Sequence, residues 1–114
     1  MSEMTELIER RKEVRHIVVG IEAHIDGAIW PIVDISRSGV RLLKPLGYDR
    51  GAGVVEIEFV LLARRHRTVT VTGHWLRDSR FDIVFRYTPP TSCWERTLRS
   101  LDSFAQTALS LEFC

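Results

Sequence analysis

Apolar and polar residues alternate along most of the chain, with the two-residue period of a half-buried strand. Ile17, Val19, Ile21, Ala23 and Ile25 share one face, and His16, Glu22, His24 and Asp26 share the other. Asp26-Gly27 then predicts a tight hairpin turn. A second strand is expected from about Ala28 to Ser36, where Ser38-Gly39 breaks it, and Val40 and Leu42 begin a short third one. Pro45, Gly47, Gly51 and Gly53 punctuate a loop. Val55, Ile57, Phe59 and Leu61 alternate with Glu56 and Glu58 until Arg64-Arg65-His66-Arg67 interrupts the pattern. Val69, Val71, Gly73 and Trp75 resume it. After a turn at Asp78-Ser79, the residues Phe81, Ile83, Phe85 and Tyr87 complete a sixth strand. Short strands joined by short turns predict a six-stranded antiparallel β-barrel, whose closure leaves no edge open to aggregation.

The period changes after Pro89-Pro90. Ser92 and Glu95 have the spacing of a capping box, in which each side chain satisfies the other residue's amide. Trp94, Leu98, Leu101, Ala105, Ala108 and Leu109 recur every three or four residues, the stripe of an amphipathic helix. The expected fold class is therefore all-β with a C-terminal α-helix that covers one side or end of the barrel. A stripe of this size must be covered. Packing on the barrel makes a monomer, and pairing with a second copy makes a homodimer. There is no internal repeat or low-complexity tract.

Composition narrows the function classes. A length of 114 residues suits one domain, and 45% hydrophobic residues suffice for a core. Sixteen Lys and Arg against fifteen Asp and Glu leave a net charge of +1, so bulk attraction to nucleic acid or to a membrane is not expected. An anion must be caught by a local cluster. The start, MSEMTELIERRKEVR, is acidic and then basic without an apolar run, unlike a signal peptide. No stretch approaches the roughly 20 apolar residues of a membrane span, so the expected location is cytoplasmic. On one continuous helix Cys93 and Cys114 would stand about 30 Å apart at about 1.5 Å per residue, too far for a disulfide.

Two constellations carry chemistry. In Arg10-Arg11-Lys12-Glu13-Val14-Arg15 the residues Arg11 and Arg15 are four apart, a spacing that puts both on one side of a helix or an extended chain. A guanidinium is a planar fork that fits a phosphate or the O6/N7 edge of guanine, and it stacks on bases. In Asp34-Ile35-Ser36-Arg37-Ser38-Gly39 the residues Asp34 and Ser36 point the same way on a strand, with Val33 and Ile35 facing inward. A carboxylate accepts from the N1–H and amino group of guanine, and a hydroxyl donates to a phosphate. Gly39 permits a positive φ and a close backbone approach. Each constellation alone is also what a solvated tail or a serine-glycine turn looks like.

Together, in this order and on a barrel, the two constellations resemble the PilZ family, and the resemblance covers the chain from Arg10 to the terminal helix. It implies cyclic di-GMP binding, with Arg11 and Arg15 on an N-terminal segment that folds over the ligand and Asp34, Ser36 and Gly39 receiving it. Arg10, directly before the arginine pair, resembles the members that take up two stacked ligand molecules. The implied organisation is a flexible segment over residues 1–15 and a barrel with its helix over residues 16–114. The implied role is a receptor with no catalytic activity and no cofactor, which signals to a protein effector. Many members carry a glycine in the closing strand before its final Phe, where Asp82 stands here, ahead of Phe85.

The same residues admit other readings. His16, Glu22, His24 and Asp26 could face a metal, but no fixed cluster or Cys-x-x-Cys pattern supports one. No Gly-x-Ser-x-Gly elbow or paired acid suggests a hydrolase. Arg64 to Arg67 form a basic tip of the kind that binds single strands, without the interleaved aromatics. A PilZ-like adaptor that binds no nucleotide remains the alternative. Trp30 alternates onto the face of Asp34, where it can stack on a base, unless Pro31 reverses the phase.

Overall fold

The computed structural model describes residues 13–45, 48, 53–62 and 67–103. Seven strands form one antiparallel sheet: β1 (Ile21–Ile25), β2 (Ala28–Trp30), β3 (Ile32–Ile35), β4 (Gly39–Leu43), β5 (Val54–Leu61), β6 (Arg67–Asp78) and β7 (Asp82–Arg86). Among the described residues the helix α1 (Trp94–Leu101) follows. The strand order is β2-β1-β5-β6-β7-β4-β3. The two edge strands, β2 and β3, are consecutive in the chain, so the segment through Pro31 carries the chain from one edge of the sheet to the other and nearly closes the barrel.

This accounts for seven strands where alternation predicts six. Pro31 lacks the N–H a ladder needs, and the predicted second strand splits there into two pieces with different partners. β2 pairs with β1, and β3 pairs with β4. The split also reverses the side-chain phase. Trp30 is therefore a core residue, 3% exposed, with its ring edge-on to Tyr48. It does not lie on the face of Asp34.

The β1–β2 hairpin forms as expected. Asp26 and Gly27 both take positive φ, 52° and 79°, as a two-residue turn that follows strand twist requires. The core is built from the inward positions of every strand, among them Ile25, Ile35, Leu42, Ile57, Phe59, Ile83 and Phe85. Trp94, Leu98 and Leu101 of α1 close it. The Trp94 ring lies 5.6 Å from that of Phe59. Gly73 makes room inside the barrel: a Cβ there would stand 2.6 Å from Ile57 Cδ1 and 3.3 Å from Phe85 Cβ.

Five local expectations are corrected. Gly20, at φ 76°, resets the alternation before β1. Ile17 and Val19 are consequently exposed and His16 is buried. The β6–β7 register shifts between Trp75 and Arg77, which leaves Trp75 partly exposed. Phe81 lies in the preceding turn, 67% exposed, rather than in the strand. The capping box does not form: Cys93 is the N-cap without a side-chain bond, and Glu95 reaches His16 instead. The helix is also interrupted at Asp102, which is extended and bridges to Val18. Residues 104–114, with Ala105, Ala108, Leu109 and Cys114, lie outside the described residues, as do residues 1–12, 46–47, 49–52 and 63–66.

Candidate functional site

The segment that brings Arg15 to the barrel is tied down on both sides. His16 exchanges backbone hydrogen bonds with Ile35, 2.7 and 3.0 Å. On the other side Val19 N–H donates to Leu101 O and Ser103 N–H to Ile17 O. The His16 ring is wedged between carboxylates, with Nδ1 2.8 Å from Asp102 and Nε2 2.9 Å from Glu95. One ring nitrogen faces each acid. The residue grouped by alternation with Glu22, His24 and Asp26 thus faces the other way. Among the described residues no group of three or more His, Cys, Asp or Glu is placed to hold a metal ion.

Arg15, Asp34, Ser36 and Gly39 line one open cavity of about 560 Å³ on the outside of the barrel. Arg10 and Arg11 lie outside the described residues. The cavity floor is a row of cross-strand partners: Asp34 opposes Arg41, Arg41 opposes Val84, and Val84 opposes Arg77. A second row joins Gly39 to Arg86. Arg41, Arg77 and Arg86 therefore add three guanidinium groups to Arg15. These three were missed in the sequence, because their convergence depends on register between strands far apart in the chain. With Glu13 and Asp34 as the acids, the lining concentrates positive charge on a protein that is nearly neutral overall. Asp34 stands 4.0 Å from Arg41 Nε, a charge contact longer than a hydrogen bond.

The Ser36–Gly39 turn is braced from inside. Tyr87 O–H donates to Ser36 O at 2.5 Å, and Trp94 Nε1–H donates to the same Tyr87 oxygen at 2.8 Å. Burial pushes the Tyr87 pKa far above its ordinary value, against a smaller lowering by the Trp94 hydrogen bond, so the hydroxyl keeps its proton and remains a donor. A chain of two hydrogen bonds thus links α1, through the core, to the backbone of the Asp-x-Ser turn. Gly39 does not take a positive φ. Its lack of a side chain serves close approach, since a Cβ would meet Ser36 Oγ at 3.3 Å.

Glu13 sits on the outer side of this turn. Its Oε1 accepts from Ser36 Oγ at 2.9 Å and from Ser38 N–H at 3.1 Å, and its Oε2 accepts from Ser38 Oγ at 2.5 Å. Partial burial works to raise the Glu13 pKa. The hydrogen bonds from Ser38 and Ser36 and the nearby positive Arg37 outweigh it, so the pKa is lowered from its ordinary value and the carboxylate is ionised at neutral pH.

No family model matches the chain, and no curated protein matches it. Two solved structures are similar in fold. The crystal structure of the uncharacterized Legionella protein Lpg0364 aligns with a TM-score of 0.52 and 17% identity over 87% of this chain and 94% of that one. MotI/DgrA, an inhibitor of motility from Bacillus subtilis, aligns with a TM-score of 0.58 and 16% identity over 91% of this chain and 51% of that one. This chain therefore spans about half the length of MotI/DgrA. At such identities the likeness concerns the fold alone, and it is consistent with a PilZ-like all-β fold with a terminal helix. No helix among the described residues is long and apolar enough to cross a membrane.

Proposed function

We propose that this chain is a receptor for cyclic di-GMP that acts through a protein effector and has no catalytic step. The observation that carries this reading is the convergence of Arg15, Asp34, Ser36 and Gly39 on one cavity rich in arginine. Cyclic di-GMP presents two phosphates and two guanines. Arg15, together with Arg11, takes the phosphates and stacks on the bases. Asp34 accepts from the guanine N1–H and amino group, and Ser36 donates to a phosphate. Arg10 serves a second stacked ligand molecule.

Each charge-assisted bond contributes about 1.5–3 kcal/mol, and ordering the arginine segment costs about 1–2 kcal/mol per residue. The balance supports a Kd of about 1 μM or tighter, which is roughly 8 kcal/mol or more. The ordered segment then presents a new surface to the effector. A fold neighbour named for inhibiting motility is compatible with a regulatory role.

The alternative is an adaptor that binds no nucleotide, and it draws on the Glu13 carboxylate already bonded to Ser36 and Ser38. Base selectivity separates the two readings. Under the receptor reading cyclic di-GMP binds, cyclic di-AMP and GTP do not compete, and Asp34→Ala weakens guanine recognition without an equal loss of melting temperature. Equal losses of affinity and stability in Asp34→Ala would count against Asp34 as the guanine acceptor.

A further inference from the structure

We propose that the Ser36–Ser38 turn is an oxyanion site and that Glu13 is its built-in occupant, which a phosphate group must displace. Three donors converge on one carboxylate: Ser36 Oγ–H, Ser38 N–H and Ser38 Oγ–H. A backbone amide flanked by hydroxyls, with Arg37 adding positive potential, is the donor set that cradles a phosphate as readily as a carboxylate. The turn is held in shape from behind by Tyr87 on the Ser36 carbonyl, so its donors stay in place when the occupant changes.

Position in the chain gives the occupant its meaning. Glu13 lies two residues before Arg15, so the segment that supplies Arg15 to the cavity also supplies the anion that occupies the turn. Docking of Glu13 and capture of a phosphate at the turn exclude each other. Apparent affinity is then the intrinsic affinity multiplied by the fraction of molecules in which the turn is vacant. If Glu13 is docked in about nine molecules of ten, its removal tightens binding about tenfold. The phosphate chemistry follows from the turn itself, and only the identification of that phosphate with cyclic di-GMP rests on the proposed function.

The test uses the full chain with Glu13→Ala and Glu13→Gln, each checked for a dispersed amide spectrum. Inorganic phosphate and cyclic di-GMP are titrated separately while the Ser38 amide resonance is followed. The expected result is a Ser38 shift on phosphate addition, saturating at several-fold lower phosphate in Glu13→Ala than in wild type. Cyclic di-GMP should bind more tightly to the same variant by the same factor. Glu13→Gln, which keeps an acceptor but loses the charge, should fall between the two. Phosphate binding that strengthens while cyclic di-GMP fails to bind any form would support the oxyanion site and remove the receptor reading. Weaker or unchanged phosphate affinity in Glu13→Ala would overturn the proposal, because Glu13 would then position the segment rather than compete. A Ser38 amide indifferent to phosphate in every form would overturn it too.

Discussion

Replacing Tyr87 with Phe removes one oxygen from the centre of the path between α1 and the Asp-x-Ser turn. The ring stays packed against Phe59, 5.5 Å between centroids, so the apolar contact is preserved. Two hydrogen bonds disappear. The Trp94 indole N–H is left without its partner inside a residue only 2% exposed. An orphaned buried donor costs about 1–3 kcal/mol. Ser36 O also loses its bond from Tyr87, but it lies nearer the surface, where water takes over part of the loss.

The sum is about 2 kcal/mol. At about 2.1 cal/mol/K per residue, 114 residues unfold with roughly 0.24 kcal/mol/K of entropy, so Tm should fall by about 8 °C. Thermal unfolding followed by circular dichroism reads this directly. Trp94→Phe alone and combined with Tyr87→Phe completes a cycle, and the double variant should lose less than the sum, because no donor is orphaned in it. A Tm within 2 °C of wild type for Tyr87→Phe, with an additive cycle, would mean that the Tyr87 hydroxyl does not link Trp94 to the turn.

Three further outcomes follow from the same geometry. Because burial raises the Tyr87 pKa, the folded form resists ionisation; the stabilisation is full below the unfolded value of about 10 and declines as pH rises above it. Urea midpoints measured above pH 10 should therefore fall more steeply for wild type than for Tyr87→Phe, and parallel curves would argue against this. His16→Leu leaves Glu95 and Asp102 facing each other without the ring between them, and should cost about 2–3 kcal/mol by urea titration, less than for fully buried charges because both acids reach solvent. Adding Asp102→Asn should restore part of that loss, and no restoration would mean that packing, not charge, is what His16 supplies. Gly73→Ala forces a methyl against Ile57 and Phe85 and should destabilise by about 1–2 kcal/mol, whereas a neutral or stabilising effect would show that the barrel has slack there.

Much of the fold was legible because alternation is a local signal. β5 reads inward at Val55, Ile57, Phe59 and Leu61, as its spacing predicts. The Asp26-Gly27 hairpin was legible because those two residues tolerate positive φ where others do not. Errors arose where one residue resets the phase. Gly20 turned His16 inward and Ile17 outward, Pro31 sent Trp30 into the core, and the shift after Trp75 brought its ring out. Nothing in local spacing shows such a reset, because it depends on which neighbour the next residues pair with. The candidate site divides the same way. Asp34, Ser36 and Gly39 are adjacent in the chain and could be read together, whereas Arg41, Arg77 and Arg86 meet them only through the β4–β7–β6 register. The Ser92–Glu95 spacing misled because His16, distant in sequence, competes for Glu95 and wins with a second carboxylate already in place.

The most direct test of the central claim is isothermal titration of the full chain with cyclic di-GMP, alongside Arg15→Ala and with GTP as the control. The expected result is saturable binding at about 1 μM or tighter, lost in Arg15→Ala, with a stoichiometry above one ligand per chain if Arg10 holds the second molecule. A folded protein that gives no heat with cyclic di-GMP, or binding that survives Arg15→Ala unchanged, would contradict it.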